Sequence, residues 1–315
     1  MPKKSDDDFF DETINYTFSL AAQIRKINPE CTDEYHDHSV LKLLGIAYWV
    51  GIFTPICDKQ LRKKYGYKLV YVDTMAGSGV TSSKRGGDYF AGSCPIAVKT
   101  AQDNNYPFDE VIAVEIEQSK AETLSERLKL ITDIKTTVYT ADILEISSKI
   151  AVSLQNFAVA YIVIDPHGLR GMTWQAISPL LALKGDAIVI WFENEAWRLK
   201  QAAISDKQHK AIQSDINRMD ELFGGGWEKT KSADELTELF INRVLNECGK
   251  TAHGVVTIPR KKGYYKMILF AGKFQNAAKL TKSWEENITR RLQSAIGKDI
   301  SSLLEVKSGR QKTLF

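Results

Sequence analysis

Close cysteine pairs and long apolar runs are both missing from this 315-residue chain. The four cysteines, Cys31, Cys57, Cys94 and Cys248, stand too far apart for a zinc finger or a redox pair, so reduced and mostly buried thiols are expected. Histidine is scarce, at five residues, and only His36-Asp37-His38 clusters. A metal is one reading of that cluster and a helix entry capped by Asp37 or Ser39 is the other; no metal is assigned. No run approaches the length of a membrane span, and the start, Met1-Pro-Lys-Lys-Ser-Asp-Asp-Asp, is polar rather than signal-like. Those absences set aside membrane insertion and secretion and give a cytoplasmic expectation. Repeats and low-complexity blocks are lacking too. With 43% hydrophobic and 26% charged residues, global disorder is excluded, and the length suits one elaborated domain or a domain with an appended module.

Charge is present but unevenly spread. The chain totals +3, yet residues 250–315 carry 14 Lys/Arg against 4 Asp/Glu, net +10, while residues 1–249 carry net −7. The basic sector is where a polyanion would bind. Within it, Arg260-Lys-Lys-Gly-Tyr-Tyr-Lys266 interleaves cations with aromatics, as a surface that contacts phosphates and bases would. Arg260, Lys261, Lys262 and Tyr264 are the candidate substrate-binding residues; a solvated hairpin tip is the alternative.

Periodicity divides the chain further. Residues 1–35 read as a polar N-terminal arm. Apolar positions at helical spacing predict a helix from Val40 to Phe53. Strand patterns follow over 68–72, 110–114, 136–139, 159–164 and 186–192, alternating with helical patterns over 94–102, 120–130, 143–154 and 174–183. Such alternation predicts a mostly parallel sheet covered on both faces. Residues 194–250 depart from it as a helical insertion, with helices near 202–223 and 234–247 around Gly224-Gly-Gly-Trp227. Segments 254–258 and 264–271 read as an antiparallel hairpin, and 276–315 as a C-terminal helix and tail. The expected α/β domain therefore comprises residues 36–193 and 251–275. Parallel strands closed by an antiparallel hairpin are the layout of a Rossmann-like class I methyltransferase sheet, and the hairpin is what a dinucleotide-binding dehydrogenase would lack.

The first strand ends in Asp73-Thr-Met-Ala-Gly-Ser-Gly79. Gly77 and Gly79 can take positive φ and let the backbone approach a ligand closely, with Ala76 beside them, while Asp73 offers an anionic partner for an ammonium group. A nicotinamide fingerprint requires a third glycine where Ser82 stands. A phosphate-binding P-loop requires a glycine before its lysine, and Ser83-Lys84-Arg85 has none. A strand and turn that bind nothing is the remaining alternative.

In an open parallel sheet, ligands lie outside the carboxyl ends of the strands. Acids occur at successive ends: Asp73, Glu115, Asp142 after the third strand, and Asp165. Glu115, with Glu117 as its rival, suits both ribose hydroxyls; Asp142 suits an adenine amino group, with Ile143 against the ring. The set matches S-adenosylmethionine, although each acid alone is also explained as a helix cap or a solvated carboxylate. Ile164-Asp165-Pro166-His167-Gly168 occupies the position where enzymes that methylate base amino groups carry Asp/Asn-Pro-Pro-aromatic. Asp165, Pro166 and His167 are thus the candidate catalytic residues. His167 either stacks on the acceptor, acts as a base near neutral pH, or only hydrogen-bonds within its loop.

Taken in order, these pieces resemble the three-Cys-motif partner protein family. The resemblance is carried by His38-Ser-Val-Leu-Lys42 with Tyr48, Asp73-Thr-Met-Ala-Gly-Ser-Gly79, Gly92-Ser-Cys-Pro95, Ala113-Val-Glu115, Ile164-Asp-Pro-His-Gly168 with Gly171-Met-Thr-Trp174, Trp197-Arg198, Phe223-Gly224 with Trp227, and Tyr265-Lys-Met-Ile-Leu-Phe270. It covers about residues 36–290. Cys94 interrupts a Gly-Ser-Pro pattern, and His167 replaces the usual aromatic. The resemblance implies a class I methyltransferase fold, S-adenosylmethionine as cofactor, and a separate protein with a three-cysteine motif as partner. Together with the basic sector, it makes a methyltransferase acting on nucleic acid, RNA such as tRNA before DNA, the leading expectation. A methyltransferase for a small molecule or protein, and a non-catalytic cofactor-binding subunit, are the alternatives.

Overall fold

A computed structural model describes residues 6–35, 40–83, 88–166, 168–169, 172–205, 210–259 and 264–296. His36, His38, His167, Arg260, Lys261 and Lys262 lie outside the described residues. The elements run α1 (Asp6–Ile24), β1 (Asp33–Tyr35), α2 (Val40–Cys57) continuing through a π-turn into α3 (Lys63–Tyr65), β2 (Lys68–Asp73), β3 (Val80–Ser83), β4 (Tyr89–Ala91), α4 (Ser93–Asp103), β5 (Glu110–Glu115), α5 (Gln118–Ile131) and β6 (Lys135–Thr140). They continue as α6 (Ile143–Leu154), β7 (Ala158–Ile164), α7 (Trp174–Leu181), β8 (Gly185–Trp191), α8 (Glu193–Ser205), α9 (Lys210–Phe223), α10 (Ala233–Glu247), β9 (Ala252–Pro259), β10 (Tyr264–Ala271) and α11 (Ala277–Ile296).

Seven strands make the main sheet, in the order β6-β5-β2-β7-β8-β10-β9. The pairs β2–β5, β5–β6 and β7–β8 are parallel, whereas β10 runs antiparallel to both β8 and β9. This is the mostly parallel sheet with a terminal hairpin that the sequence led us to expect. Strands β5, β7 and β8 are buried at every position, because helices on both faces remove the need for polar alternation.

The chain forms two compact units, Met1–Ala141 with Ser283–Phe315, and Asp142–Lys282. Their limits differ from the four segments read from the sequence. In the first unit, residues 6–35 form α1 and β1 in place of a polar arm. Ile14, Leu20, Ala21 and Ile24 of α1 are buried, and Leu20, Ala21 and Ile24 join Val80, Ala91 and Ile96 in one apolar cluster. The acidic composition concealed this stripe of one apolar residue per turn. Strands β1, β3 and β4 form a separate small sheet, β1-β3-β4, that the sequence reading also missed; each has three or four residues, too short for a periodic pattern.

Helix α2 corrects another expectation. Val40–Tyr65 is long and apolar enough to pass a length-and-composition test for a membrane span, but 67% of the apolar stretch is buried, as in the core helix of a globular fold. Trp284 of α11, fully buried, donates its indole N–H to the Gly45 carbonyl of α2 at 3.1 Å. The cysteines are free, with Cys57, Cys94 and Cys248 buried.

In the second unit, α8, α9 and α10 occupy the stretch read as a helical insertion. Ser232 caps α10 by accepting from the Glu235 N–H at 3.1 Å, and the Glu235 carboxylate accepts from the Lys231 N–H at 2.6 Å, a reciprocal arrangement that satisfies helix-end donors. Gly185 opens β8 at φ +122; a Cβ there would stand 2.0 Å from the Ala160 carbonyl oxygen, so only glycine lets β8 lie this close to β7.

Candidate functional site

In the first unit, β2 and β5 are parallel neighbours, with Asp73 opposite Ala113 and Glu115 two residues beyond it. Asp73 is fully buried. Its Oδ2 accepts from the Tyr71 hydroxyl at 2.9 Å and from the Ser93 hydroxyl at 2.7 Å. Ser93 stands at the first position of α4, so one carboxylate ties the end of β2 to the start of the next helix. Cys94 is adjacent; burial, and then the Asp73 charge, push its thiol well above the usual range, which makes it a packing group.

The turn beyond Asp73 is glycine-specific at both expected positions. Gly77 has φ +60, and a Cβ there would meet the Asp33 carboxylate oxygen at 2.4 Å. Gly79 has φ +81, and a Cβ would meet Leu124 at 2.7 Å and Pro95 at 3.2 Å. The Ala76 N–H donates to the Val114 carbonyl at 2.9 Å and the Ser78 N–H to Asp33 Oδ2 at 2.7 Å. Among the described residues, the N–H groups of Gly77 and Gly79 have no protein acceptor.

Gly92, quoted above only within Gly92-Ser-Cys-Pro95, has a packing role that the sequence did not reveal. It precedes α4, its N–H donates to the Gly79 carbonyl at 2.9 Å, and a Cβ there would lie 3.4 Å from the Gly79 Cα. It supplies the close turn-to-helix approach that a dinucleotide fingerprint assigns to its third glycine. The hairpin β3–β4, inserted between turn and helix, places it thirteen residues downstream of Gly79, beyond the span of a Gly-x-Gly-x-x-Gly pattern.

Glu115 is 8% exposed, and one of its oxygens accepts from the Glu117 N–H at 2.9 Å, which turns the chain away from the sheet. Glu117 pairs instead with Lys120 at 2.6 Å. Ile116 between them is 64% exposed, an apolar side chain left uncovered beside the acid.

The second unit holds the remaining candidates. Asp142 is the N-cap of α6, its carboxylate accepting from the Leu144 N–H at 2.9 Å. Ile143 faces the interior at 5% exposure, while Leu144 is 43% exposed. Asp165 is half-buried just past the end of β7 and Pro166 is buried. The loop they begin is secured by an acid that the sequence reading passed over: Glu195 Oε2 accepts from the Leu169 N–H at 3.1 Å and lies 2.8 Å from where a Cβ on Gly168, at φ +119, would sit.

Glu193, after the end of β8, is a further acid that the strand-end argument would have found had it been carried one strand on. It is fully buried. Its Oε1 accepts from the Thr237 hydroxyl at 2.6 Å and from the Lys266 ammonium, and Thr237 accepts from the Trp191 indole at 2.9 Å. Lys266 also pairs with Asp234 at 2.6 Å. Burial alone would lower the Lys266 ammonium, but Asp234 and Glu193 outweigh it and hold it raised. Tyr264 is half-buried, its hydroxyl pushed up to about 12 first by its hydrogen bond to Glu193 and then by burial. Two members of the basic-aromatic segment are therefore engaged within the fold.

No family model matches the chain, and no curated protein matches it in sequence. Solved structures do show likeness. Trm1 from Pyrococcus horikoshii, in complex with S-adenosyl-L-methionine, is 12% identical over 78% of this chain and 58% of its own length, with a TM-score of 0.45. Protein LPL1258 of Legionella pneumophila, of the family DUF519, is 12% identical over 82% of this chain and 92% of its own, with a TM-score of 0.48. Magnesium protoporphyrin IX methyltransferase from Synechocystis, with bound SAM, is 13% identical over 87% of this chain and 100% of its own, with a TM-score of 0.39. The chain thus spans less than two thirds of the first of these proteins.

Proposed function

We propose that the protein is an S-adenosylmethionine-dependent methyltransferase acting on nucleic acid, RNA in preference to DNA. The observation that carries the cofactor reading is the turn after β2, where Gly77 and Gly79 combine positive φ with N–H groups that no described residue accepts, beside the buried Asp73 carboxylate. Those amides suit the carboxylate of the methionine moiety and Asp73 suits its ammonium. Glu115 would take the ribose hydroxyls, and the exposed Ile116 would cover one face of the adenine. Ala76 keeps the turn narrow. Asp142, which also caps α6 through one oxygen, would accept from the adenine amino group, with Ile143 and the exposed Leu144 as the apolar side chains of that segment. The bound cofactor supplies an electrophilic methyl group.

The acceptor chemistry is assigned to Asp165, Pro166 and His167. Asp165 accepts a hydrogen bond from the group to be methylated, Pro166 stiffens the loop, and His167 stacks on the acceptor or removes its proton. The nucleic-acid reading rests on the net +10 of residues 250–315, with Arg260, Lys261 and Lys262 as phosphate contacts and Tyr264 at their edge. A separate partner protein, implied by the family resemblance, belongs to the same proposal, as does a cytoplasmic location.

Calorimetry with S-adenosylhomocysteine tests the cofactor half; low-micromolar affinity, about 8 kcal/mol, is expected. Filter binding to tRNA across a salt series tests the other half, with charge reversal at Arg260, Lys261 and Lys262 lowering the salt slope by about 0.7–0.9 for each lost phosphate contact. Absence of salt-dependent binding to RNA and DNA would move the assignment to a small-molecule or protein acceptor. Cofactor binding that yields turnover only after a partner is added would favour the subunit reading.

A further inference from the structure

The glycine turn is fixed by an acid that lies forty-five residues before it, outside the main sheet. Asp33 belongs to β1 and is 7% exposed. Its Oδ2 accepts from the Ser78 N–H at 2.7 Å and limits the space at Gly77, while its Oδ1 pairs with the Lys120 ammonium at 3.1 Å. Burial alone would lower Lys120, but Glu117 and Asp33 outweigh it and keep it raised. From the other side, the guanidinium of Arg127, a fully buried residue, donates to the Ser78 carbonyl at 2.9 Å and hydroxyl at 3.1 Å, and reaches the carbonyls of Ile27 at 3.0 Å and Asn28 at 2.9 Å. Ser78 is therefore held at its N–H by β1 and at its carbonyl by a cation that also grips the segment between α1 and β1.

We infer that Asp33 is a positioning residue for the cofactor turn, and that α1 and β1 are an obligate part of the cofactor site. The inference rests on the reading of that turn as the S-adenosylmethionine site. Fixing the Ser78 peptide sets the flanking Gly77 and Gly79 at positive φ, and so sets where their N–H groups stand. Without Asp33, the Ser78 N–H loses its acceptor, Lys120 loses a buried counter-charge, and the turn is free to adopt geometries in which the Gly77 and Gly79 amides stand elsewhere. Pre-ordering of this kind raises affinity by removing the cost of ordering the turn at the moment of binding.

Three variants decide the matter: Asp33→Ala, Asp33→Asn and Lys120→Met. In calorimetry well below the melting temperature, Asp33→Ala is expected to bind S-adenosylhomocysteine about ten- to a hundredfold more weakly, the range for losing a charge-assisted hydrogen bond. Asp33→Asn keeps an acceptor for Ser78 and is expected to recover most of that loss. Lys120→Met keeps the Asp33–Ser78 bond but removes a counter-charge from the buried Asp33, and is expected to weaken binding by less than Asp33→Ala does, about three- to tenfold. Amide hydrogen exchange in the ligand-free protein supplies a reading independent of the cofactor: the Ser78 amide is expected to exchange at least tenfold faster in Asp33→Ala and at nearly the original rate in Asp33→Asn. If Asp33→Ala only lowers the melting temperature, with affinity and Ser78 exchange unchanged, the role is structural and the inference is overturned. If the unmodified protein does not bind the ligand, the cofactor reading falls, and the exchange rates still decide whether Asp33 holds the turn.

Discussion

The turn after β2 and the loop after β7 each follow the carboxyl end of a strand that has a parallel neighbour in its own unit, and they are secured to different degrees. The first is gripped by buried charged groups brought from far along the chain: Asp33 on the Ser78 amide, Arg127 on its carbonyl, and Asp73 joined to Ser93. The loop that begins with Asp165 is tied through Glu195 to the Leu169 N–H, a half-buried contact spanning twenty-six residues. A cofactor of fixed shape is best met by donors that do not move, since every ordering cost is then met on folding. An acceptor that enters and leaves at each turnover is better served by a loop with room to adjust. The contrast in anchoring therefore agrees with the division of labour proposed for the two segments.

That contrast can be broken most directly by exchanging what each segment loses. Asp165→Ala is expected to lower methyl transfer by about a hundred- to a thousandfold, the usual loss when a positioned polar group is removed from a reacting centre, while affinity for S-adenosylhomocysteine stays within a factor of about two. Single-turnover rates and calorimetry on the same preparation would show it. Retained transfer would remove Asp165 from the chemistry. The complementary change is Gly77→Ala, where the new methyl meets the Asp33 carboxylate at 2.4 Å, an acid that Lys120 and Ser78 prevent from withdrawing. Cofactor affinity is expected to fall by about 2–3 kcal/mol, or roughly 30- to 150-fold, from strain of that order at positive φ with a steric clash added. Normal affinity in Gly77→Ala would mean that the turn is not the cofactor site.

A smaller effect sharpens the comparison within the second unit. Glu195→Gln keeps an acceptor for the Leu169 N–H and is expected to lower transfer by no more than about threefold, whereas Glu195→Ala loses it and is expected to cost about tenfold, the lower end for a charge-assisted hydrogen bond that is only half-buried. Neither change is expected to alter cofactor affinity. Equal activity in both variants would show that the loop does not depend on this tie.

Sequence alone made the sheet legible because its strands are runs of β-branched and aromatic residues bounded by acids and glycines. The strands expected over 68–72, 110–114 and 159–164 are found at Lys68–Asp73, Glu110–Glu115 and Ala158–Ile164. Positions decided by contacts between distant residues were not legible. Asp33 sits in Cys31-Thr-Asp-Glu-Tyr35, which carries no motif, and its meaning comes only from a partner at Ser78. The packing of Gly92 on Gly79 was hidden by the inserted β3–β4 hairpin. The basic sector illustrates the reverse error, since a tally of charges cannot tell a solvated lysine from an engaged one: Lys266 is paired with Glu193 and Asp234, and Lys250 is buried among carbonyls. Among the acids at strand ends, Asp142 also caps a helix, and Glu193, unnamed, organises a buried network.

Lys250 extends the comparison to how the two units bury positive charge. In the first unit, Lys120 is ion-paired, with Asp33 and Glu117; in the second, the Lys250 ammonium donates to the carbonyls of Leu183 at 2.9 Å and Gly185 at 2.8 Å, at the start of β8. Burial pulls Lys250 down to about 8 from the ordinary lysine value of 10.5, despite the opposing charge of Asp186 and the nearby Cys248. A lysine with a depressed folded value binds its proton less tightly in the folded than in the unfolded chain. Its charged form therefore detracts from stability below about pH 8, and the deficit is relieved as the pH rises from about 8 toward 10.5. Over that window the contribution approaches about 1.4 kcal/mol per pH unit, the value for one proton. Other lysines, tyrosines and cysteines titrate nearby, so the measurement is the difference between unmodified protein and Lys250→Met in urea midpoints across the same pH series. Lys250→Met removes the titrating group and leaves two carbonyls without their donor, so it is expected to be the less stable of the two at pH 9 and above, with the gap narrowing as the pH falls to 7. A gap that is constant with pH would show that Lys250 keeps its proton throughout and that the two carbonyls solvate its charge as well as an acid would.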